Sequence, residues 1–267
     1  MRKEIVFPRV AAVLGLAGLG LRQWELNTAF EPETGLAVWG LPASWCLLAL
    51  SVAVALAAAW VGYSLRGKTV AGDGKAFYAP SKGYFAEMIA AAVLMLGAGL
   101  MGIYQYASHQ EPMVLRFVLA LFCVFCAAAL LIVGESNFRG KQGGNTSLYG
   151  LALSYLPCLW LLVTYLRQAS NPVLMGYAYS LLAVAATALS CYFMVGFRFQ
   201  NGKVWGAALF SLLGIYLGLV ALPGADLFTV LLGVSMILYQ LSSLTALLYR
   251  TEHPAAIETE EKTDEGQ

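Results

Sequence analysis

One segment, Gly62-Tyr63-Ser64-Leu65-Arg66-Gly67-Lys68-Thr69, matches letter for letter the loop with which nucleotide hydrolases grip phosphate. That chemistry needs a strand before the loop and a helix after it, so that backbone amides and a helix N-terminus surround the anion. Here an apolar run of helical length leads into Gly62, and Val70-Ala71-Gly72-Asp73-Gly74-Lys75 follows with the glycine content of a loop. The segment therefore reads as a helix end. Arg139-Gly140-Lys141 and Asn201-Gly202-Lys203 repeat the theme, each with a glycine to supply the left-handed residue that stops a helix and a basic neighbour. A duplicated helical hairpin would give the same recurrence.

Cys46, Cys123, Cys126, Cys158 and Cys191 all fall in apolar runs. Cys123 and Cys126 form a C-x-x-C pair, which helical spacing brings near one face and which elsewhere carries redox chemistry. Its place deep in an apolar run, with no water to solvate a thiolate, favours two small buried hydrophobes. His109 and His253 fall on opposite sides of the expected membrane, so they cannot share a zinc ion, and no metal or cofactor is expected. Glu25, Glu31 and Glu33 could hold a cation through carboxylate oxygens, although their spacing follows no calcium-loop pattern.

Neutral polar residues recur inside the apolar runs: Thr164, Tyr177, Tyr179, Ser190, Tyr239, Ser242 and Ser243, with Tyr155, Thr187, Tyr192 and Gln240 as the candidates for a polar path. Gln240 carries a primary amide near the centre of the last run, where it should bond to neighbouring helices. Glu87, Arg116, Glu135 and Arg198 lie near run ends, so no acid or base is expected at mid-membrane. Neither a nucleophile with its base nor a metal set shares a layer, which makes an enzyme the least supported class.

These residues sit on elements that composition largely dictates. The 267 residues are 60% hydrophobic and only 12% charged, with a mean hydropathy of +0.70, against roughly 25% charged in ordinary soluble domains. A span needs about 20 apolar residues to cross roughly 30 Å of hydrocarbon. Such runs are predicted at 5–24, 43–65, 84–106, 113–134, 148–166, 174–197, 204–222 and 227–249. Continuous apolar runs, unlike the alternation of a barrel, select helices. The expected fold is all-α: a polytopic membrane bundle of about eight transmembrane helices over 1–249, followed at 250–267 by a disordered, acidic tail rich in glutamate.

Basic residues mark the cytoplasmic side of a membrane protein. Arg2, Lys3, Arg9, Arg66, Lys68, Lys75, Lys82, Arg139, Lys141, Arg198, Lys203, Arg250 and Lys262 fall on one side, and only Arg22, Arg116 and Arg167 on the other. Both termini are thus expected in the cytoplasm. The first run is the weakest, because its uninterrupted core from Val10 to Leu21 is short; Arg9 and Arg22 are expected to snorkel to opposite headgroup layers. A cleaved signal peptide is disfavoured by the bulky, polar Arg22-Gln23-Trp24-Glu25 that follows. Pro157 should kink the fifth helix. Gly214 and Gly218, Ala98 and Gly102, and Ala11 and Gly15 give small faces for close helix packing.

The segment Arg22-Gln23-Trp24-Glu25-Leu26-Asn27-Thr28-Ala29-Phe30-Glu31-Pro32-Glu33-Thr34-Gly35-Leu36 resembles the signature of a family of uncharacterised multi-pass membrane proteins from clostridial-type bacteria. Leu156-Pro157, Asn171-Pro172-Val173-Leu174 with Tyr177 and Tyr179, and Gly196-Phe197 extend the likeness over most of the bundle. The resemblance implies a bacterial cytoplasmic membrane and no known activity. Two readings stand side by side: a non-enzymatic accessory, sensor or structural membrane subunit, and a channel or transporter for a small solute. Missing midplane charge favours the first. The partners expected are the lipid bilayer and either other membrane subunits or further copies of the chain; nucleic acid is not among them.

Overall fold

A computed structural model describes residues 3–30, 40–68, 70, 76–109, 113–140, 145–169 and 174–252. They form eight helices: α1 (Lys3–Thr28), α2 (Pro42–Ser64), α3 (Lys82–Ala107), α4 (Val114–Arg139), α5 (Thr146–Gln168), α6 (Leu174–Gly196), α7 (Val204–Val220) and α8 (Leu227–Glu252), with a short 3-10 turn at Phe197–Phe199. The all-α bundle is therefore as expected, and six of its helices are long and apolar enough to cross a membrane. They are α2, α3, α4, α5, α6 with its 3-10 turn, and α8. The chain thus fits a multi-pass membrane protein. The other two are α1, which carries Arg9, Arg22 and Glu25 along its length, and α7, which is apolar but has 17 residues.

Helix ends follow local chemistry. The last turn of α4 runs past its apolar stretch because Arg139 reaches Glu135 one turn back, 2.7 Å away, and Asn137 donates to the Tyr84 hydroxyl at 2.8 Å. Gly67 and Gly140 take the left-handed conformation expected after α2 and α4 (φ +80° and +67°). After α6 the left-handed residue is Gln200 instead of Gly202; a Cβ at Gly202 would run into the Phe197 ring, so packing explains that glycine. Gly62 lies inside α2, buried against α7, and the residues running into it are helical and not a strand, so the match to a phosphate loop is a helix end. Of the expected tail, Arg250 to Glu252 still belong to α8, where Arg250 Nε donates to the Tyr78 carbonyl at 3.0 Å; residues 253–267 lie outside the described residues.

In packing, α3 through α8 each lean on the next, and α8 closes the ring against α3. Helices α1 and α2 sit outside it on α7, with α1 also touching α8. The shared core holds Met88 and Met95 from α3, Leu119 and Leu130 from α4, Leu153 and Leu156 from α5, and Leu232 and Leu247 from α8. The outer faces are also apolar: Trp45, Leu48, Val52, Leu56, Trp60 and Tyr63 form an exposed stripe along α2. A helix apolar on both faces suits lipid on one side and protein on the other. Pro157 lies buried within a continuous α5 and cannot donate to the Leu153 carbonyl, the weak point expected there.

Candidate functional site

The bundle end that carries the α7–α8 turn holds a cavity of about 390 Å³. Its walls come from the C-terminal end of α5, the N-terminal ends of α4, α6 and α8, and the turn itself. Arg116, in the first turn of α4, is 3% exposed. It donates to Gln105 Oε1 at 2.9 Å, pairs with the Asp226 carboxylate, and lies 4.9 Å from the centre of the Phe228 ring. Asp226 precedes α8 as its cap: its other oxygen accepts from Thr229 at 2.8 Å and from Arg167 Nη1 at 3.0 Å. One carboxylate thus joins two guanidiniums from α4 and α5.

Burial disfavours the charged form of Asp226, but the Thr229 hydrogen bond and then Arg116 and Arg167 outweigh it and hold the carboxyl below its usual range. A lowered folded value stabilises the protein above the unfolded carboxylate pKa of about 3.9, and that contribution is lost as pH falls through the folded value. Asp226→Asn should therefore cost about 1–3 kcal/mol at neutral pH and shrink the drop in thermal stability below about pH 4. Thermal unfolding of both proteins in detergent, stepped from pH 7 downward, checks this; superimposable curves would remove Asp226 from the account.

Beside the cavity lies a narrow pocket of about 30 Å³ between α5, α6, α7 and α8. Trp160, Thr164, Ser180 and Thr229 line both spaces. Deeper, Thr187, Val184, Met236 and Ile237 close around it. Thr187 lies 13 residues into α6, about 20 Å at 1.5 Å per residue, so the pocket reaches mid-bundle.

The residues expected to form a polar path do not converge. Thr187 lines the narrow pocket, whereas Tyr155 and Tyr192 are 59% and 65% exposed and flank a groove on the outside of α5 and α6. Gln240 is fully buried elsewhere, its amide against Gly214 of α7. Contrary to expectation, neither its Oε1 nor its Nε2 has a hydrogen-bond partner among the described residues. An orphaned buried amide costs about 1–3 kcal/mol, so Gln240→Met, similar in length and unbranched, should raise stability by about 1–2 kcal/mol. A lowered melting temperature for that variant would show that the amide has a partner after all.

Of the acidic trio, Glu25 is 5% exposed and paired with Arg22, itself 3% exposed, so Arg22 is buried where snorkelling was expected. Arg22 also donates to the Gly176 carbonyl at 2.8 Å, fastening α1 to the start of α6. Glu31 and Glu33 lie outside the described residues. Cys123 and Cys126 are fully buried, as their apolar setting suggested. Among the described residues, no three His, Cys, Asp or Glu side chains converge on a possible metal position.

The cavity was half visible beforehand, since Thr164 and Tyr177 were among the polar candidates. By sequence alone Arg116 and Arg167 are charges on the minority side, and nothing in the order of residues links Asp226 to them. A basic residue at the end of each of two apolar runs, with a lone aspartate in the last turn between runs, was the available signal. No family model, no curated protein and no solved structure matches this chain.

Proposed function

We propose that this chain is an eight-span protein of the bacterial cytoplasmic membrane, with both termini in the cytoplasm, that recognises a small solute from the outer side as a non-enzymatic sensor or accessory subunit. The carrying observation is the 390 Å³ cavity around Arg116, Asp226 and Arg167, at the end the charge bias assigns to the outside. The narrow pocket beneath it ends at mid-bundle among Val184, Thr187, Met236 and Ile237. A blind, polar-mouthed vestibule suits binding better than an open pore. Helix α1 supports its own span through the Arg22 and Glu25 pair, which neutralises two charges near its end, and α7 through its near absence of exposed polar groups.

Labelling from outside intact cells with an impermeant maleimide, in a background lacking the five native cysteines, tests the arrangement. Glu31→Cys and Gln168→Cys should react at once, and Lys203→Cys and a cysteine at the last residue only after permeabilisation. Reaction of Glu31→Cys and the final residue from the same side would overturn the topology. Pro157 in the α5 wall, three residues before Trp160, favours transport as the second reading, because a weakened helix beside a half-depth pocket can rearrange. Solute flux into liposomes holding the protein alone would decide for transport.

A further inference from the structure

We infer that the groove on the outside of α5 and α6 binds one anionic phospholipid from the leaflet at the α6–α7 end, its phosphate at Lys203 and Asn201 and the first part of an acyl chain in the furrow that leads to Cys158. The groove lies on a different face from the vestibule, so the inference does not depend on what the vestibule takes. Its shape, its single charge and a stranded hydroxyl carry it.

The groove, of about 540 Å³, extends from Asn201 and Lys203 at the α6–α7 turn to Cys158 and Ala188. It exists because small side chains, Ser154, Cys158, Ala188 and Gly196, lie between large ones. Tyr155 on α5 and Tyr192 on α6 stand out at 59% and 65% exposure. From Leu151 to Cys158 the floor runs about 10 Å at 1.5 Å per residue. A furrow between protruding rings admits an acyl chain, whereas another helix, about 10 Å across, would ride on the rings and leave the floor empty.

Lys203 is the one charged side chain among the described residues that line the groove. It is exposed, as is Asn201 beside it, and it makes no ion pair among the described residues. An ammonium at the end of an apolar furrow matches a phosphate at the end of an acyl chain. The groove's described lining offers no carboxylate to the amine of a zwitterionic headgroup, which favours a lipid with net negative charge.

Tyr155 lies nine residues into α5, about 14 Å from its start, and its hydroxyl has no hydrogen-bond partner among the described residues. Hydrocarbon offers it none. Helical side chains lean toward their own N-terminus, and the α5 N-terminus lies at the Lys203 end, where Gly150 meets Arg198. The hydroxyl therefore points back toward the layer just beneath the phosphates. There the ester carbonyls of a diacyl lipid accept.

The test is native mass spectrometry, with thermal unfolding alongside, of the full-length protein in detergent. The probes are phosphatidylglycerol, phosphatidylcholine and phosphatidylethanolamine with identical chains, the diether analogue of phosphatidylglycerol, and a short-chain isoprenoid quinone. One phosphatidylglycerol should be retained about fivefold more tightly than either zwitterionic lipid, the scale of one lysine near an anionic headgroup. Lys203→Gln should erase that preference, and Lys82→Gln, exposed at the same end but outside the groove, should keep it. Ala188→Trp, which fills the furrow, should weaken all three lipids at least fivefold, with Ala188→Phe in its place if the larger ring prevents folding. Tyr155→Phe should weaken the diester about threefold and leave the diether unchanged.

Equal retention of the three headgroups overturns the proposal. So does an effect of Lys82→Gln as large as that of Lys203→Gln, which would make the preference a diffuse surface charge, or phosphatidylglycerol binding unchanged in a folded Ala188 variant, which would put the lipid elsewhere. Displacement of phosphatidylglycerol by the quinone, with quinone binding lost in Tyr155→Phe, would replace the phospholipid by a ligand without phosphate.

Discussion

Glu25→Gln is expected to destabilise the protein by about 3 kcal/mol or more, although it changes one atom of one side chain. Arg22 and Glu25 are 3% and 5% exposed, so the substitution removes the carboxylate charge that faces the Arg22 guanidinium within a buried pair. The Gly176 carbonyl and the Tyr179 ring, 5.2 Å from the guanidinium, stay in place and soften the loss. Because the pair itself is costly to desolvate, replacing both members by apolar residues, Arg22→Met with Glu25→Leu, should land near the parent protein. The double-mutant cycle, read by thermal unfolding in detergent, should give a coupling of at least about 2 kcal/mol. A Glu25→Gln variant within about 0.5 kcal/mol of the parent, the usual scale of an uninvolved surface change, would mean that water reaches Arg22.

That ion pair also marks the boundary between what the chain reveals in its order and what it reveals only when folded. The helices were legible because apolar length is a local property: α2 was expected at 43–65 and forms at Pro42–Ser64, and α8 was expected at 227–249 and forms at Leu227–Glu252. Deviations occur where a polar contact extends a helix past its apolar stretch. Arg22 with Glu25 carries α1 to Thr28, and Arg139 with Glu135 carries α4 five residues beyond 134. Side-chain destinations were less legible, since hydropathy says that a residue is in a helix and not which face it takes. Tyr155 and Thr187 look alike as polar residues in apolar runs, yet one faces outward and the other lines the inner pocket. Arg116, Arg167 and Asp226 lie on α4, α5 and the α7–α8 turn, and only the ring of helices brings them together. No local window holds that information.

The contact between α3 and α4 supplies the other large expected effect, through a glycine beside the expected small-residue pair. Ala98 is fully buried and Gly102 meets α4 at Ala120 Cβ, as that pair should, but of the α3 glycines it is Gly99 that the α4 backbone approaches most closely. A Cβ there would lie 2.6 Å from Val124 Cγ2, 2.9 Å from the Ala120 carbonyl oxygen and 3.1 Å from the Val124 amide nitrogen. A flexible side chain can swing away; a helix backbone cannot. Gly99→Ala therefore has to push α3 and α4 apart, against a core that includes Met95, Leu119 and Cys123 at 0% exposure, and should cost about 1–3 kcal/mol. Gly99→Val adds two further methyls at the same spot and should leave little folded protein, seen as loss of the monodisperse peak on size exclusion. Gly97 provides the control two residues earlier, because its nearest neighbour would be Leu231 Cδ1 at 3.8 Å, an ordinary contact. There, alanine should be neutral or stabilise by up to about 1 kcal/mol through helix propensity. If Gly97→Ala and Gly99→Ala melt at the same temperature, the two helices are not in backbone contact and the packing of the whole ring has to be redrawn.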